Sequence, residues 1–185
     1  RHVHFTLDGT GPSLQTPPSL DDWPEITWEV GENVRRVNLD TVTPEDVKDW
    51  QPGETVLLSG KMLTGRDAAH KTMVDMIEKG EPLPVDLKGR FIYYVGPVDP
   101  VREEVVGPAG PTTATRMDKF THTMLAQTGL TGMIGKAERG QVAIDAIKEF
   151  GAVYLMAVGG SAYLVSKAIK HAEVVAFPEL GMEAI

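Results

Sequence analysis

The chain contains no cysteine among its 185 residues. It can therefore form no disulfide, and it offers no thiolate to a zinc ion or an iron–sulfur cluster. Its five histidines form no metal-binding spacing, because His2 and His4 lie near the start and the other three are isolated along the sequence. Any cluster or thiolate-bound metal must be held by another chain or by a segment outside this one.

Long hydrophobic runs are also absent. No stretch approaches the roughly 18 to 20 consecutive apolar residues that span a bilayer, and the start, Arg1-His2-Val3-His4, lacks the apolar core of a signal peptide. We therefore expect a soluble, cytoplasmic protein with no membrane partner. The first residue is Arg rather than Met, from which we expect a fragment or a trimmed product.

Basic residues are scarce relative to acidic ones. The formal net charge is −8, with 18 Lys and Arg against 26 Asp and Glu. This balance argues against nucleic-acid binding, which relies on a basic surface to displace the counterions of the phosphates. A local cluster of Arg and Lys is informative against such an acidic background.

The composition is otherwise that of one globular domain, with 42% apolar and 24% charged residues. Residues 1–36 are dense in glycine and proline, which predicts an irregular extension or a linker from a preceding domain. We place the domain boundary near Val37. The domain proper would then cover residues 37–185.

Strand and helix patterns alternate along this domain, which predicts an α/β fold. A short helix is predicted to begin at Thr43, where a hydroxyl N-cap precedes Pro44 and two acidic residues. The predicted strands cover residues 54–60, 91–95, 152–158 and 174–177. The longer predicted helices cover residues 66–79, 118–127, 140–150 and 162–170.

A first loop of interest covers residues 59–70 and joins a predicted strand to a predicted helix. The amides at a helix N-terminus and a nearby Arg66 both favour a carboxylate or a phosphate, which predicts an anion site. An ordinary turn, with Thr64 as a cap and Arg66 in solvent, is the alternative.

A second loop, residues 107–118, combines a proline-fixed backbone with three hydroxyls that precede Arg116. So specific a backbone is typical of a functional loop. The alternative is capping together with a surface interaction between Arg116 and Asp118. A third loop, residues 133–140, has a charged segment between glycines and by itself resembles a solvated loop.

Gly159-Gly160-Ser161 follows a predicted strand and weakly resembles a dinucleotide-binding turn. It lacks the full glycine fingerprint, and the chain has no Walker lysine pattern. An N-cap role for Ser161 is the simpler interpretation.

Together the three loops closely resemble the signatures of class I fumarate hydratase. The motifs are Gly60-Lys-Met-Leu-Thr-Gly-Arg-Asp-Ala-Ala-His70, Gly110-Pro-Thr-Thr-Ala-Thr-Arg-Met-Asp118 and Met133-Ile-Gly-Lys-Ala-Glu-Arg-Gly140. The resemblance extends from about Val37 to the end and is strongest to the C-terminal domain of the single-chain form. The β subunit of tartrate dehydratase is similar.

The resemblance implies a swivelling β/β/α domain that packs against a larger N-terminal domain or an α subunit. That partner would carry three cysteines and a [4Fe–4S] cluster, and the full-length protein would be a homodimer. The whole enzyme would be a hydro-lyase of the tricarboxylic acid cycle that reversibly hydrates fumarate to malate or dehydrates a related 2-hydroxy diacid. This chain alone would be inactive.

The resemblance also implies roles for individual residues. Arg66, Thr113, Arg116 and Lys136 correspond to substrate-binding residues, and Thr112 corresponds to the residue proposed as the catalytic base. The charges suit the substrate, because fumarate and malate are dianions and guanidinium groups bind carboxylates in a bidentate manner.

Two other functions stay open at this point. One is a regulatory module that binds a dicarboxylate without chemistry, and the other is a nucleotide-binding domain that uses the turn at Gly159. The presence or absence of a cysteine-bearing partner would separate the enzyme from the regulatory module.

Overall fold

The computed structural model describes residues 34–100 and 103–185, together with Gly31 and the backbone of two dipeptides near the start. The chain divides into two compact units, residues 1–33 and residues 34–185. In the first unit, β1 (Phe5–Thr6) pairs with β2 (Ser13–Leu14) in antiparallel fashion. Most of the predicted extension lies outside the described residues. The predicted boundary near Val37 falls inside a strand of the second unit, β3 (Arg35–Asn38).

The centre of the second unit is a four-stranded parallel sheet with its strands in sequence order. Its strands are β5 (Leu63–Thr64), β6 (Phe91–Tyr93), β7 (Gly132–Gly135) and β8 (Val153–Met156). The main crossover helices are α1 (Asp67–Glu78), α2 (Asp118–Thr128) and α3 (Gln141–Phe150). Parallel strands joined by helices confirm the predicted α/β class.

Each face of this sheet buries a separate apolar cluster, as parallel sheets require. Because side chains alternate between faces along a strand, Ile92 and Met133 pack with helix residues such as Met73 and Met124. Phe91 and the other β6 and β7 residues of the second face pack instead against a parallel pair of strands, β3 and β4 (Val56–Ser59). The unit therefore has a two-stranded layer, a four-stranded layer and a helical layer.

The predicted helices agree with the structure to within a few residues. A further helix, α4, spans Ala162–Ala168. The short helix predicted at Thr43 is a 3-10 helix over Asp46–Asp49. There the Thr43 backbone N–H donates to Asp46 Oδ2 at 2.8 Å, and the Asp46 N–H donates to Thr43 Oγ1 at 3.3 Å.

One strand was missed and one strand prediction was wrong. The third loop is exposed at residues 136–138, as a solvated loop would be, but its first residues belong to β7, a buried strand in the middle of the sheet. A strand was predicted over residues 174–177, yet Val174 is 62% exposed, Phe177 has a positive φ of 57°, and only Val175 and Ala176 bond to the backbone of Ile185. A 3-10 segment, Pro178–Glu183, follows, with a kink at Gly181, whose backbone is not helical.

Among the described residues, no helix is long and apolar enough to cross a membrane.

Candidate functional site

The three loops meet at one edge of the central sheet. The first loop continues from the end of β5 at Thr64, and the third continues from the end of β7 at Gly135. The second lies beyond the end of β6 and leads into α2. In open parallel sheets the crevice outside the carboxyl ends of the strands is where ligands bind.

Backbone hydrogen bonds insert the second loop between the ends of β6 and β7. The Thr112 N–H donates to the Tyr94 carbonyl at 2.7 Å, and the Lys136 N–H donates to the Thr112 carbonyl at 3.0 Å. The Ala114 N–H donates to the Lys136 carbonyl at 3.0 Å, and Thr113 and Lys136 form a parallel bridge. Thr112, Thr113 and Lys136 are therefore held together by the sheet itself.

Arg116 joins the second loop to the first. Its Nη2 donates to Thr112 Oγ1 at 3.1 Å and lies 3.2 Å from Asp67 Oδ2. The side chains of Arg116 and Asp67 are 52% and 38% exposed, and ion pairs of that kind contribute about 0 to 1 kcal/mol. An external carboxylate could replace Asp67 at little cost. The alternative pairing of Arg116 with Asp118 does not form, because the Asp118 carboxylate pairs with Arg139 instead.

Arg66 sits at the start of α1 and is held from several directions. Its carbonyl accepts the His70 backbone N–H at 2.9 Å and lies 2.9 Å from His70 Nδ1. Its Nε lies 3.0 Å from Glu183 Oε1 without a well-directed hydrogen bond, so this contact is an ion pair. Its Nη2 lies 3.5 Å from Met182 Sδ. The solvated alternative for Arg66 was therefore wrong, as was a cap from Thr64, which lies in β5.

A carboxylate already fills the anion site predicted at the start of α1. It belongs to Glu183, whose Oε2 accepts the backbone N–H of Ala68 at 2.8 Å. The helix amide and the arginine that predicted an anion site therefore bind a carboxylate of the chain itself. An external ligand at this position stays a prediction.

Lys136 is the most open cation of the group. Its side chain is exposed and makes no hydrogen bond or ion pair within the part of the chain that the structure describes. The next residue, Ala137, has φ 64°, a left-handed conformation that is rare outside glycine. The Tyr154 hydroxyl donates to the Ala137 carbonyl at 2.7 Å and helps to hold this backbone. Such local strain is found most often at functional sites.

Beneath the loops lies a buried ion pair that sequence reasoning missed. Arg139, with 2% of its side chain exposed, donates from Nε to Asp118 Oδ1 at 2.6 Å. Asp118 Oδ2 accepts the Gly140 N–H at 2.7 Å, and Arg139 Nη2 donates to Thr121 Oγ1. This pair ties the start of α2 to the start of α3, so it fixes the two segments that carry Arg116 and Lys136. Arg139 is part of the third motif, but nothing in that motif indicates burial.

His70 is a neutral structural residue. Burial is the main reason that its pKa falls to about 4. Its ring packs edge-on against Tyr94, whose own pKa is raised to about 12 by burial. A neutral His70 with its proton on Nδ1 donates to the Arg66 carbonyl and so fixes the backbone from which the Arg66 side chain extends.

The structure thus groups four of the five predicted site residues closely. Arg116 touches Thr112, and backbone bonds join Thr112 and Thr113 to Lys136. Arg66 is linked to them through its neighbour Asp67, and no hydrogen bond or ion pair joins its guanidinium to the other four side chains within residues 34–100 and 103–185.

The residues of this chain do not fit an iron–sulfur cluster. The chain has no cysteine, and its described residues contain no group of three His, Asp or Glu side chains that could hold a metal ion. A thiolate-bound cluster would need ligands from another domain or subunit.

Comparison with known proteins gives a family match over most of the chain. The family described as Fumarase C-terminus matches residues 9–185, so the match begins within the stretch that was predicted to be an extension.

Three relatives illustrate the similarity. Fumarate hydratase 2 of Leishmania major is 36% identical over 170 residues, which are 90% of this chain and 30% of the relative. The anaerobic class I fumarate hydratase of Escherichia coli is 42% identical over 129 residues, 69% of this chain and 24% of the relative. A putative L(+)-tartrate dehydratase subunit beta of Methanocaldococcus jannaschii is 35% identical over 144 residues, 76% of this chain and 74% of the relative.

The chain therefore spans about a third or less of the two fumarate hydratases but most of the tartrate dehydratase subunit. The similarity confirms the resemblance carried by the three loop motifs. The chain belongs to the fumarase C-terminus family, with class I fumarate hydratases and the β subunit of tartrate dehydratase as its relatives.

Proposed function

We propose that this chain is the substrate-binding and proton-abstracting domain of a hydro-lyase that interconverts fumarate and malate or dehydrates a related 2-hydroxy diacid. The observation that carries the proposal is the contact of Arg116 with Thr112 at the carboxyl edge of the sheet, beside the backbone of Lys136. This contact supports a site in which a small dianion meets Arg116, the Thr112 hydroxyl and Lys136 together.

The charges at this edge support a dicarboxylate as the ligand. Hydrogen bonds from a guanidinium to a carboxylate contribute about 1.5 to 3 kcal/mol each. Arg116 can exchange its exposed partner Asp67 for such a carboxylate, and Lys136 has no partner to lose among the described residues. The substrate would therefore bind through Arg116, Lys136 and Arg66, with Thr113 as a hydroxyl partner.

Thr112 is proposed as the base that removes the proton from the carbon next to a carboxylate. A neutral hydroxyl is a weak base, and a positive charge at hydrogen-bond distance stabilises its deprotonated form. Arg116 provides that charge at 3.1 Å. The same guanidinium can stabilise the negative charge that develops on the substrate carboxylate as the proton leaves.

The proposal includes a partner, because this chain does not supply ligands for a cluster. A [4Fe–4S] cluster would be held by a cysteine-bearing N-terminal domain or α subunit, and this chain would be a swivelling β/β/α domain packed against it. The three layers of the fold support that architecture. A cytoplasmic location and a homodimeric full-length enzyme stay predictions.

Arg116→Ala tests the binding role in the full-length protein or in the complex with its cysteine-bearing partner. Loss of transition-state stabilisation on the order of 2 to 4 kcal/mol should lower kcat/KM on fumarate by about 30- to 1,000-fold. Arg36→Ala is the matched control, since Arg36 is an exposed arginine on β3 with no described ion pair. If the two variants show the same kcat/KM, the role of Arg116 is wrong.

Thr112→Val tests the base role separately, with Thr112→Ser as the control that keeps a hydroxyl. The Val variant should lose exchange of the substrate's carbon-bound hydrogen with solvent deuterium, and the Ser variant should keep much of it. Unchanged exchange in Thr112→Val would exclude Thr112 as the base.

A regulatory module is the correct interpretation if the wild-type protein binds dicarboxylates, measured as a shift in its melting temperature, but never turns them over.

A further inference from the structure

The segment that carries Glu183 is anchored in the core. Ala184 and Ile185 are 7% and 3% exposed, and Ile185 exchanges backbone hydrogen bonds with Ala176. Gly65 at the end of β5 leaves room for Ile185, because a Cβ there would lie only 2.6 Å from Ile185 Cδ1. The segment is thus packed tightly onto the first loop, and Glu183 projects from a fixed backbone.

Glu183 uses both of its carboxylate oxygens on the first loop. Oε1 lies 3.0 Å from Arg66 Nε, and Oε2 accepts the Ala68 N–H at 2.8 Å. The two charged side chains are 23% and 24% exposed, so this pair is shielded from water far better than the pair of Arg116 and Asp67. A shielded pair is screened less by salt and solvent and holds its geometry better.

The guanidinium of Arg66 is also confined by Gly96. A Cβ at Gly96 would lie 2.9 Å from Arg66 Cζ, 3.0 Å from Arg66 Nε and 2.8 Å from the Met182 carbonyl oxygen. Only a residue without a side chain leaves this space. Arg66 therefore lies in a slot between Gly96 and residues 182–183.

This slot determines which edge of Arg66 can meet a ligand. Glu183 occupies the Nε side. Within residues 34–100 and 103–185, the one hydrogen bond of Nη2 is to Met182 Sδ, a weak acceptor that a carboxylate can displace. We infer that Glu183 is a positioning residue, which holds Arg66 by its Nε side and aims the terminal nitrogens at a substrate carboxylate. The inference rests on the proposed function, and it assigns the α1 N-terminal amide to Glu183 rather than to the substrate.

Glu183→Gln keeps the size of the side chain but leaves it able to make only one of the two contacts of the carboxylate. Glutamine has one acceptor oxygen, so it can satisfy the Ala68 N–H or face Arg66, but not both. In the full-length, cluster-loaded enzyme we expect KM for malate to rise about tenfold or more while kcat changes less than about threefold, as for a loss of uniform binding. Glu179→Gln makes the same chemical change four residues earlier, before the kink at Gly181, where the described carboxylate has no partner, and should leave KM unchanged.

A double-variant cycle tests whether Glu183 acts through Arg66. If it does, Glu183→Gln should add little to the KM effect of Arg66→Ala, because the group that it positions is already gone. Gly96→Ala, whose Cβ would lie 2.9 Å from Arg66 Cζ, should displace the same guanidinium without touching the Glu183 side chain and reproduce the rise in KM. A residue that merely stabilised the fold would add its effect to that of Arg66→Ala and would lower the melting temperature instead.

The outcomes separate the inference from the proposed function. A wild-type enzyme that turns over malate, with Glu183→Gln equal to Glu179→Gln in KM, overturns the inference and leaves the function intact. Additive effects of Glu183→Gln and Arg66→Ala also overturn it. A wild-type enzyme that acts on no 2-hydroxy diacid overturns the proposed function and the inference with it.

Discussion

Replacing Asp118 with alanine removes the two carboxylate oxygens that hold Arg139 and the Gly140 N–H just before α3. The Arg139 side chain is 2% exposed, and its Nε lies 2.6 Å from Asp118 Oδ1. Breaking a buried pair by removing one partner costs about 3 to 5 kcal/mol, because a charge is left buried without compensation. The Gly140 N–H, bonded to Oδ2 at 2.7 Å, loses its acceptor as well. Small domains have a total free energy of unfolding of only about 5 to 15 kcal/mol, so this variant should be close to unfolding.

Urea denaturation of purified protein measures this loss by linear extrapolation. The matched control is Asp75→Ala, which breaks the pair of Lys71 and Asp75, also 2.6 Å long but 67% and 44% exposed. We expect the control to cost less than about 1 kcal/mol. The double variant Asp118→Ala with Arg139→Met should recover part of the stability, because no unpaired charge remains. A cost for Asp118→Ala below about 1 kcal/mol, equal to that of Asp75→Ala, would refute the reasoning.

Two further variants test other parts of the structure. In the unfolded chain His70 has a pKa near 6.5, whereas in the folded chain its pKa is about 4. The free energy of unfolding is therefore at its full value above pH 6.5 and falls by about 3 kcal/mol as the pH drops to 4. His70→Gln should remove this component of the pH dependence, as measured by urea titrations at several pH values. Gly132→Ala should lower the free energy of unfolding by about 1 to 3 kcal/mol, because the new methyl group would overlap the Phe91 ring. Adding Phe91→Leu to this variant should restore part of the loss, as measured by thermal denaturation. An unchanged stability of Gly132→Ala would contradict this packing.

The helices were predictable because their signals are local. Apolar spacing and flanking glycines place α3 and its end, where Gly151 takes the left-handed conformation that closes a helix. Strand β7 was missed because it begins and ends with glycine, and glycine has low strand propensity. The reason for Gly132 is the Phe91 ring on the neighbouring strand, which no local pattern reveals.

The strand predicted over residues 174–177 failed for a related reason. Two valines, an alanine and a phenylalanine form a typical strand pattern, but a strand needs a partner along its length. Within the described residues, the backbone hydrogen bonds of Val175 and Ala176 go to Ile185 alone, and the left-handed Phe177 ends the extended conformation before Pro178.

The site was predictable at the level of motifs and not at the level of contacts. Arg66, Thr112 and Arg116 lie in loops whose glycines, prolines and hydroxyls mark them in the sequence. The partner of Arg66 is 117 positions away, at Glu183, and that separation leaves no pattern. Arg139 was expected to be solvated, because a charged residue between glycines usually lies in a solvated loop. Only the fold shows that its guanidinium is buried and paired with Asp118.

The central claim is that this chain supplies the dicarboxylate-binding half of a hydro-lyase. The most direct test is an anaerobic assay of the cysteine-bearing partner, reconstituted with iron and sulfide, on fumarate, malate, tartrate and mesaconate with and without this chain. We predict turnover of at least one of these diacids only when the chain is present. Equal turnover by the partner alone, or none in the complete assembly, would contradict the account.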